Sequence, residues 1–149
     1  MSEPAETVLA YWSEHRQQLR QSENQRAVLT NYILVIVAAL SGFIVQQELR
    51  AGTIPLSSLI VLIGGYGAVT VAKYHERADY HLSQARALTR TLIDLGALPS
   101  DRSSLEDARR EHYGKYRRLA RIRLHGLWTG LHVGIAVYGA ALIVITVVT

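Results

Sequence analysis

GLWTGLHVGIAVYGAALIVITVV, residues 126–148, decides how this chain folds. It sits in a run of 26 residues, 124–149, without Asp, Glu, Lys or Arg. A hydrocarbon core about 30 Å thick is crossed by roughly 20 helical residues rising about 1.5 Å each, so the run reads as a transmembrane helix. Two further runs are comparable, with 21 uncharged residues between Arg26 and Glu48 and 22 between Arg50 and Lys73. Hydrophobic residues make up 49% of the 149, yet 19% are charged, and the two kinds are segregated along the chain. The expected fold class is an all-α integral membrane protein with three transmembrane helices.

Working outward, residues 3–30 read as an amphipathic N-terminal helix, with Pro4 in its first turn and Val8, Trp12, His15, Leu19 and Leu29 at helical spacing. It leads into the first span, 30–48. The short link QELRAGTIP carries Gly52 and Pro55, both turn formers, so the second span, 54–73, is expected to return antiparallel to the first. The helical pattern then continues through Ala78, Leu82, Ala85, Leu88, Leu92 and Leu95 as a stalk. Gly96 and Pro99 break it, and Ser103 with Glu106 and Ser104 with Asp107 form capping-box signatures for a new helix. That helix is expected to run back through residue 125 to the third span, 126–148, making 74–125 a helical hairpin.

Orientation follows from the basic residues. The segment 73–123 holds 12 of the 16 Lys and Arg, the N-terminal segment three and the short link only Arg50. The basic side stays inside, which places the N-terminus and the hairpin on the cytoplasmic side of an inner membrane and the C-terminus outside. The polar N-terminal thirty residues do not resemble a cleaved signal peptide. The absence of cysteine excludes disulfides, thiolate metal sites and cysteine nucleophiles. No HExxH, phosphate loop, carboxylate pair or serine elbow is present, so no enzyme and no cofactor is expected. His125 and His132 stand seven apart on one helix, but further metal ligands have no source, and no metal site is expected.

Three sets of residues carry functional expectations. Gly126, Gly130 and Gly134 form overlapping small-xxx-small motifs, with Gly64, Ala68 and Ala72 offering a matching surface on the second span; the partner is in the same subunit or another. His132 points away from that glycine face and shares a stripe with Thr129, Ala136, Gly139, Ile143 and Thr146. An ionisable residue at membrane depth commonly lines a water-filled path, which makes this stripe pore-lining; the alternative is a neutral histidine bonded to a neighbouring carbonyl. Asn31, Ala38 and Ser41 share a face of the first span and are placed beside the same pore.

The third set is basic. Residues 109–123 hold seven Lys and Arg against one acid, Glu111, a density that attracts phosphate on a lipid or a nucleic acid. Arg117, Arg118, Arg121 and Arg123 lie close to the third span and suit lipid headgroups. Arg109, Arg110 and Lys115 stand further out and, with Arg77, Arg86 and Arg90 on the stalk, are expected to line an anionic-ligand site on which Tyr113 and Tyr116 stack bases.

Where the second span runs into KYHERADYHLSQARALTRTL, residues 73–92, the tyrosines, charged pairs, His81 and repeated small residue followed by Leu resemble the SLATT family over roughly residues 8–95. These are small membrane effectors of bacterial antiphage nucleotide signalling; the third span is additional to their two-span pattern. The resemblance, extended to the channel effector of a Hailong-type system, implies a homo-oligomer, with a tetramer favoured. It also implies a pore that depolarises the membrane, controlled by a nucleotide or DNA oligonucleotide made by a partner nucleotidyltransferase. The alternative function is a non-conducting scaffold or accessory subunit whose hairpin docks a protein.

Overall fold

A computed structural model of the chain describes residues 2–99, 101 and 103–148. Ser100 and Arg102, in the expected turn before the last basic helix, lie outside the described residues. Four α-helices follow one another, α1 (Glu3–Gln46), α2 (Ile54–Asp94), α3 (Ser103–Lys115) and α4 (Leu124–Val148), with 3-10 turns at Ala51–Thr53 and Leu119–Arg121. No strand occurs among the described residues. α1 and α4 each contain a stretch long and apolar enough to cross a membrane, as does α2 with the 3-10 turn before it.

The helix ends have local causes. Pro4 occupies the first turn of α1, where its missing N–H costs nothing, and Glu3 and Glu6 sit at the positive end of the helix dipole. Residues 5–41 contain no Gly or Pro, so α1 passes residue 30 without a break. It stops where Glu48 and Leu49 turn left-handed, at φ 53° and 55°. The Glu48 N–H donates to the Val45 carbonyl at 3.0 Å and the Leu49 N–H to that of Ile44 at 3.4 Å, a Schellman cap made without glycine. Gly52, an expected turn former of the link, lies in the 3-10 turn that follows. At the end of α2 the same cap uses glycine: Gly96 has φ 69°, and Gly96 and Ala97 donate to Ile93 and Leu92, both at 2.9 Å. A left-handed L-residue costs about 1–2 kcal/mol, and the exposed Glu48–Arg50 pair offsets little of it. Glu48→Gly is therefore expected to stabilise the chain by about 1 kcal/mol, read as a rise in thermal midpoint.

Two compact units are present, one of residues 23–75 with 124–148 and one of 2–22 with 76–123. In the first, the buried positions recur every three or four residues: Arg26, Thr30, Ile33, Val37 and Ile44 on α1, Ser57, Ile60, Gly64, Gly67 and Val71 on α2, and His132, Ile135, Gly139 and Thr146 on α4. Ser57, Gly64 and Val71 are seven apart, as are His132, Gly139 and Thr146. This is the 3.5-residue period of left-handed helix packing. Ile33, Val37, Ile44, Ile60 and Ile135 form its apolar core.

The second unit continues the period with Ala5 and Ser22 on α1 and Ala78, Ala85 and Leu92 on α2, flanked by half-buried Val8, Trp12, His15 and Leu19. Small residues dominate this seam, so the few larger groups lock it. Trp12 Nε1 donates to Thr89 Oγ1 at 3.1 Å, and that hydroxyl donates on to the Ala85 carbonyl at 2.8 Å.

α3 begins at Ser103, whose N–H is held by the Asp101 carboxylate at 2.9 Å; that bond keeps the carboxyl below its usual range. The expected long returning helix ends at Lys115. Gly114 weakens it, and Arg117, Arg118 and Arg121 repel one another at helical spacing with no buried face to compensate. Residues 116–123 form turns and a 3-10 segment instead.

Candidate functional site

The histidine of the third apolar helix is fully enclosed. His132 has no exposed surface, and its Nε2 lies 3.1 Å from Thr30 Oγ1. The Thr30 hydroxyl already donates to the Arg26 carbonyl at 2.9 Å, so it accepts from Nε2–H. This leaves Nδ1 bare, buried and without a partner, packed against Gly67, where a Cβ would collide with the imidazole. The stripe expected to line a pore follows His132 into this packing. Ala136 backs onto Gly64, and Gly139 lies on Ser57, Ile60 and Val61. Thr129 and Ile143 are half-buried, and Thr129 donates to the His125 carbonyl. The stripe is thus the seam that joins α4 to α1 and α2 of its own chain, because Thr30 and the glycines of α2 offer His132 a dry partner. On α1, Ser41 is half-buried, donating to Val37 O at 2.7 Å and accepting from the Tyr138 hydroxyl at 3.1 Å, while Asn31 is exposed.

The glycines change roles in the same way. Gly126, Gly130 and Gly134 are exposed and a Cβ on any of them would meet nothing within 4 Å. Gly64 makes the close approach, against the Ala136 backbone rather than against those three, and Ala68 is half-buried beside it in sequence. Nearer the start of α4, the Arg26 guanidinium lies 5.1 Å over the Trp128 ring and His125 stacks on His75 at 4.1 Å.

The basic residues are displayed, not enclosed. Every side chain of α3 is exposed. Arg109, Arg110, Tyr113 and Arg117 line an open groove with Glu106 and Gly114. The Arg109 guanidinium stands 5.8 Å from the Tyr113 ring and Lys115 Nζ 5.7 Å from that of Tyr116. His112 makes ring contacts with both tyrosines, at 5.5 and 5.1 Å. Arg110 reaches Asp107 only at 4.0 Å. The groove thus offers cations beside aromatic faces, the combination that holds phosphate and base together. On α2, Arg77 donates to Gln18 at 3.3 Å, and Arg86 and Arg90 are exposed.

A third arrangement joins α1 and α2 in the polar unit. His15 Nδ1 and His81 Nδ1 lie 3.0 Å apart, with Tyr80 edge-on to both rings. Burial first, then the neighbouring His15 and Arg77, lower the His81 pKa below its usual 6.5, against an opposing pull from Glu14. The sequence holds a signal for this pair, since His15 and His81 both fall on the 3.5-residue seams of their helices, but facing seams need the register of the two helices. No group of three or more metal-ligating side chains gathers among the described residues.

No family model matches the chain, and no curated protein or solved structure is significantly similar to it.

Proposed function

We propose that this chain is a membrane-embedded effector, with α1, α2 and α4 crossing the bilayer, whose α3 binds an anionic nucleotide or oligonucleotide on the cytoplasmic side. The observation that carries the reading is the fully exposed α3 with Arg109, Arg110, Tyr113 and Arg117 along one groove. Ligand state then controls ion conduction in a homo-oligomer, as the SLATT-type resemblance suggests for an antiphage effector. Since the His132 stripe is used up within one chain, the conduction path runs between copies, whose contact is made by the exposed Gly126, Gly130 and Gly134 face.

Purified protein in liposomes tests the reading directly. Ion flux is expected with the protein alone and is expected to change on addition of a short single-stranded DNA oligonucleotide. Arg109→Glu with Arg110→Glu should weaken oligonucleotide binding about tenfold or more, since each lost charged hydrogen bond costs about 1.5–3 kcal/mol, while insertion is unchanged. Liposomes that stay tight in every ligand condition remove the channel. The sealed seam around His132 favours a second reading, a non-conducting scaffold, which predicts a protein that co-purifies in fixed stoichiometry.

A further inference from the structure

The break between α3 and α4 has its own pattern. The 3-10 turn covers Leu119–Arg121, with Tyr116 in the turn before it and Ile122 extended directly after it. The Arg121 N–H donates to the Arg118 carbonyl at 3.3 Å and the Ile122 N–H to that of Leu119 at 3.0 Å, which fixes the turn. Between the apolar residues stand Arg117, Arg118 and Arg121, and Arg123 follows them. Tyr116 is 42% exposed, Leu119 65% and Ile122 53%. Water is a poor solvent for exposed aliphatic side chains, and four arginines within seven residues attract anionic partners. Leu124, the first residue of an apolar 25-residue helix, comes directly after Arg123.

We infer that residues 116–123 are a strap that lies in the headgroup layer of an anionic bilayer, with Leu119 and Ile122 dipped into the acyl boundary and the arginines on lipid phosphates. Apolar body and basic flank at one depth is the arrangement of interfacial amphipathic segments. The helix ends before these residues, and Leu119 and Ile122 stand exposed among the arginines. The occupant is a lipid surface and not the ligand of α3, because the strap's apolar residues match acyl chains and have no counterpart in a soluble nucleotide. This inference rests on the proposed membrane crossing of α4 but not on the α3 ligand.

The chain has no cysteine, so single nitroxide labels can be placed at Leu119→Cys, Ile122→Cys and, as a reference on α4, Val137→Cys, which is 63% exposed. The full chain is reconstituted in vesicles of equimolar phosphatidylcholine and phosphatidylglycerol and probed with oxygen and a water-soluble nickel chelate. All three labels are expected to relax more with oxygen than with nickel. With Arg117, Arg118, Arg121 and Arg123 changed to Gln, labels 119 and 122 are expected to become nickel-accessible while label 137 stays in lipid. Labels 119 and 122 in water beside a lipid-embedded label 137 overturn the strap alone. Labels shielded from both reagents overturn it in favour of a protein contact, and a nickel-accessible label 137 overturns the membrane crossing with it.

Discussion

Gly64→Leu leaves little folded protein, and even Gly64→Ala is expected to lower the thermal midpoint sharply. A Cβ at Gly64 would stand 2.5 Å from the Ala136 nitrogen and 2.9 Å from the Ala136 Cα and the His132 carbonyl oxygen. The obstacle is backbone, so no rotamer relieves it, and overpacking of this kind costs about 1–3 kcal/mol or more. Gly67→Ala meets a side chain instead, the His132 imidazole, but that ring is held by Thr30 at 3.1 Å and has nowhere to turn. The two costs can be separated. Gly67→Ala and His132→Ala should each destabilise, and the double variant should lose less than their sum, because removing the ring makes room for the methyl group. Gly126→Ala, Gly130→Ala and Gly134→Ala serve as matched controls on α4. Each should leave the melting of the single chain in detergent unchanged, since nothing lies within 4 Å, and should act only on association between copies. Equal melting of Gly64→Ala and Gly130→Ala would contradict the packing described.

Acidification should loosen the polar unit through His15 and His81. The 3.0 Å contact is one hydrogen bond between two ring nitrogens, so at least one ring must be neutral. Protonating His81 puts a cation into a half-buried seam, beside His15 and Arg77, with Glu14 the acid that opposes these effects. His81 is held below its ordinary value of 6.5, so in the window beneath 6.5 the unfolded chain binds more protons than the folded one. Its contribution is full above 6.5 and declines as pH falls through the lower, folded value. Melting of the full chain across about pH 8 to 5 should therefore show falling stability at the acid end. His81→Gln keeps a donor and an acceptor but cannot titrate, so it should flatten that slope while leaving stability at neutral pH nearly unchanged. A slope identical in wild type and variant would assign the acid sensitivity elsewhere.

The three apolar helices were legible from their uncharged runs, because lipid-length hydrophobicity is a local property. The stripe of Thr129, His132, Ala136, Gly139 and Ile143 was also legible as a stripe. Its role was not, since a buried histidine is satisfied equally by water in a pore or by one hydroxyl, and Thr30 lies 102 residues away in the chain. The same limit applies to the glycines: three at regular spacing on α4 advertise close packing, yet the close approaches within the chain are made by Gly64, which the sequence did offer, and by Gly67 and Gly139, whose partners only the fold supplies. The early end of α3 at Lys115 needed a negative fact, that no other element lends it a buried face. The left-handed turn at Glu48 and Leu49 fell on residues that carry no turn signal. The basic run from Arg109 to Arg123 was visible by composition alone.

The complete exposure of α3 carries a thermodynamic consequence. A helix of 13 residues that buries nothing is held by its own hydrogen bonds and by its start at Asp101 and Ser103, and helices of that length are marginal in water. Anything that binds the Arg109 side must therefore also supply the ordering free energy of the segment, and its observed affinity is the interaction minus that cost. The helix–coil balance of thirteen residues becomes an adjustable gain: whatever fixes α3 at one end raises the affinity of any anion that binds at the other, without touching it.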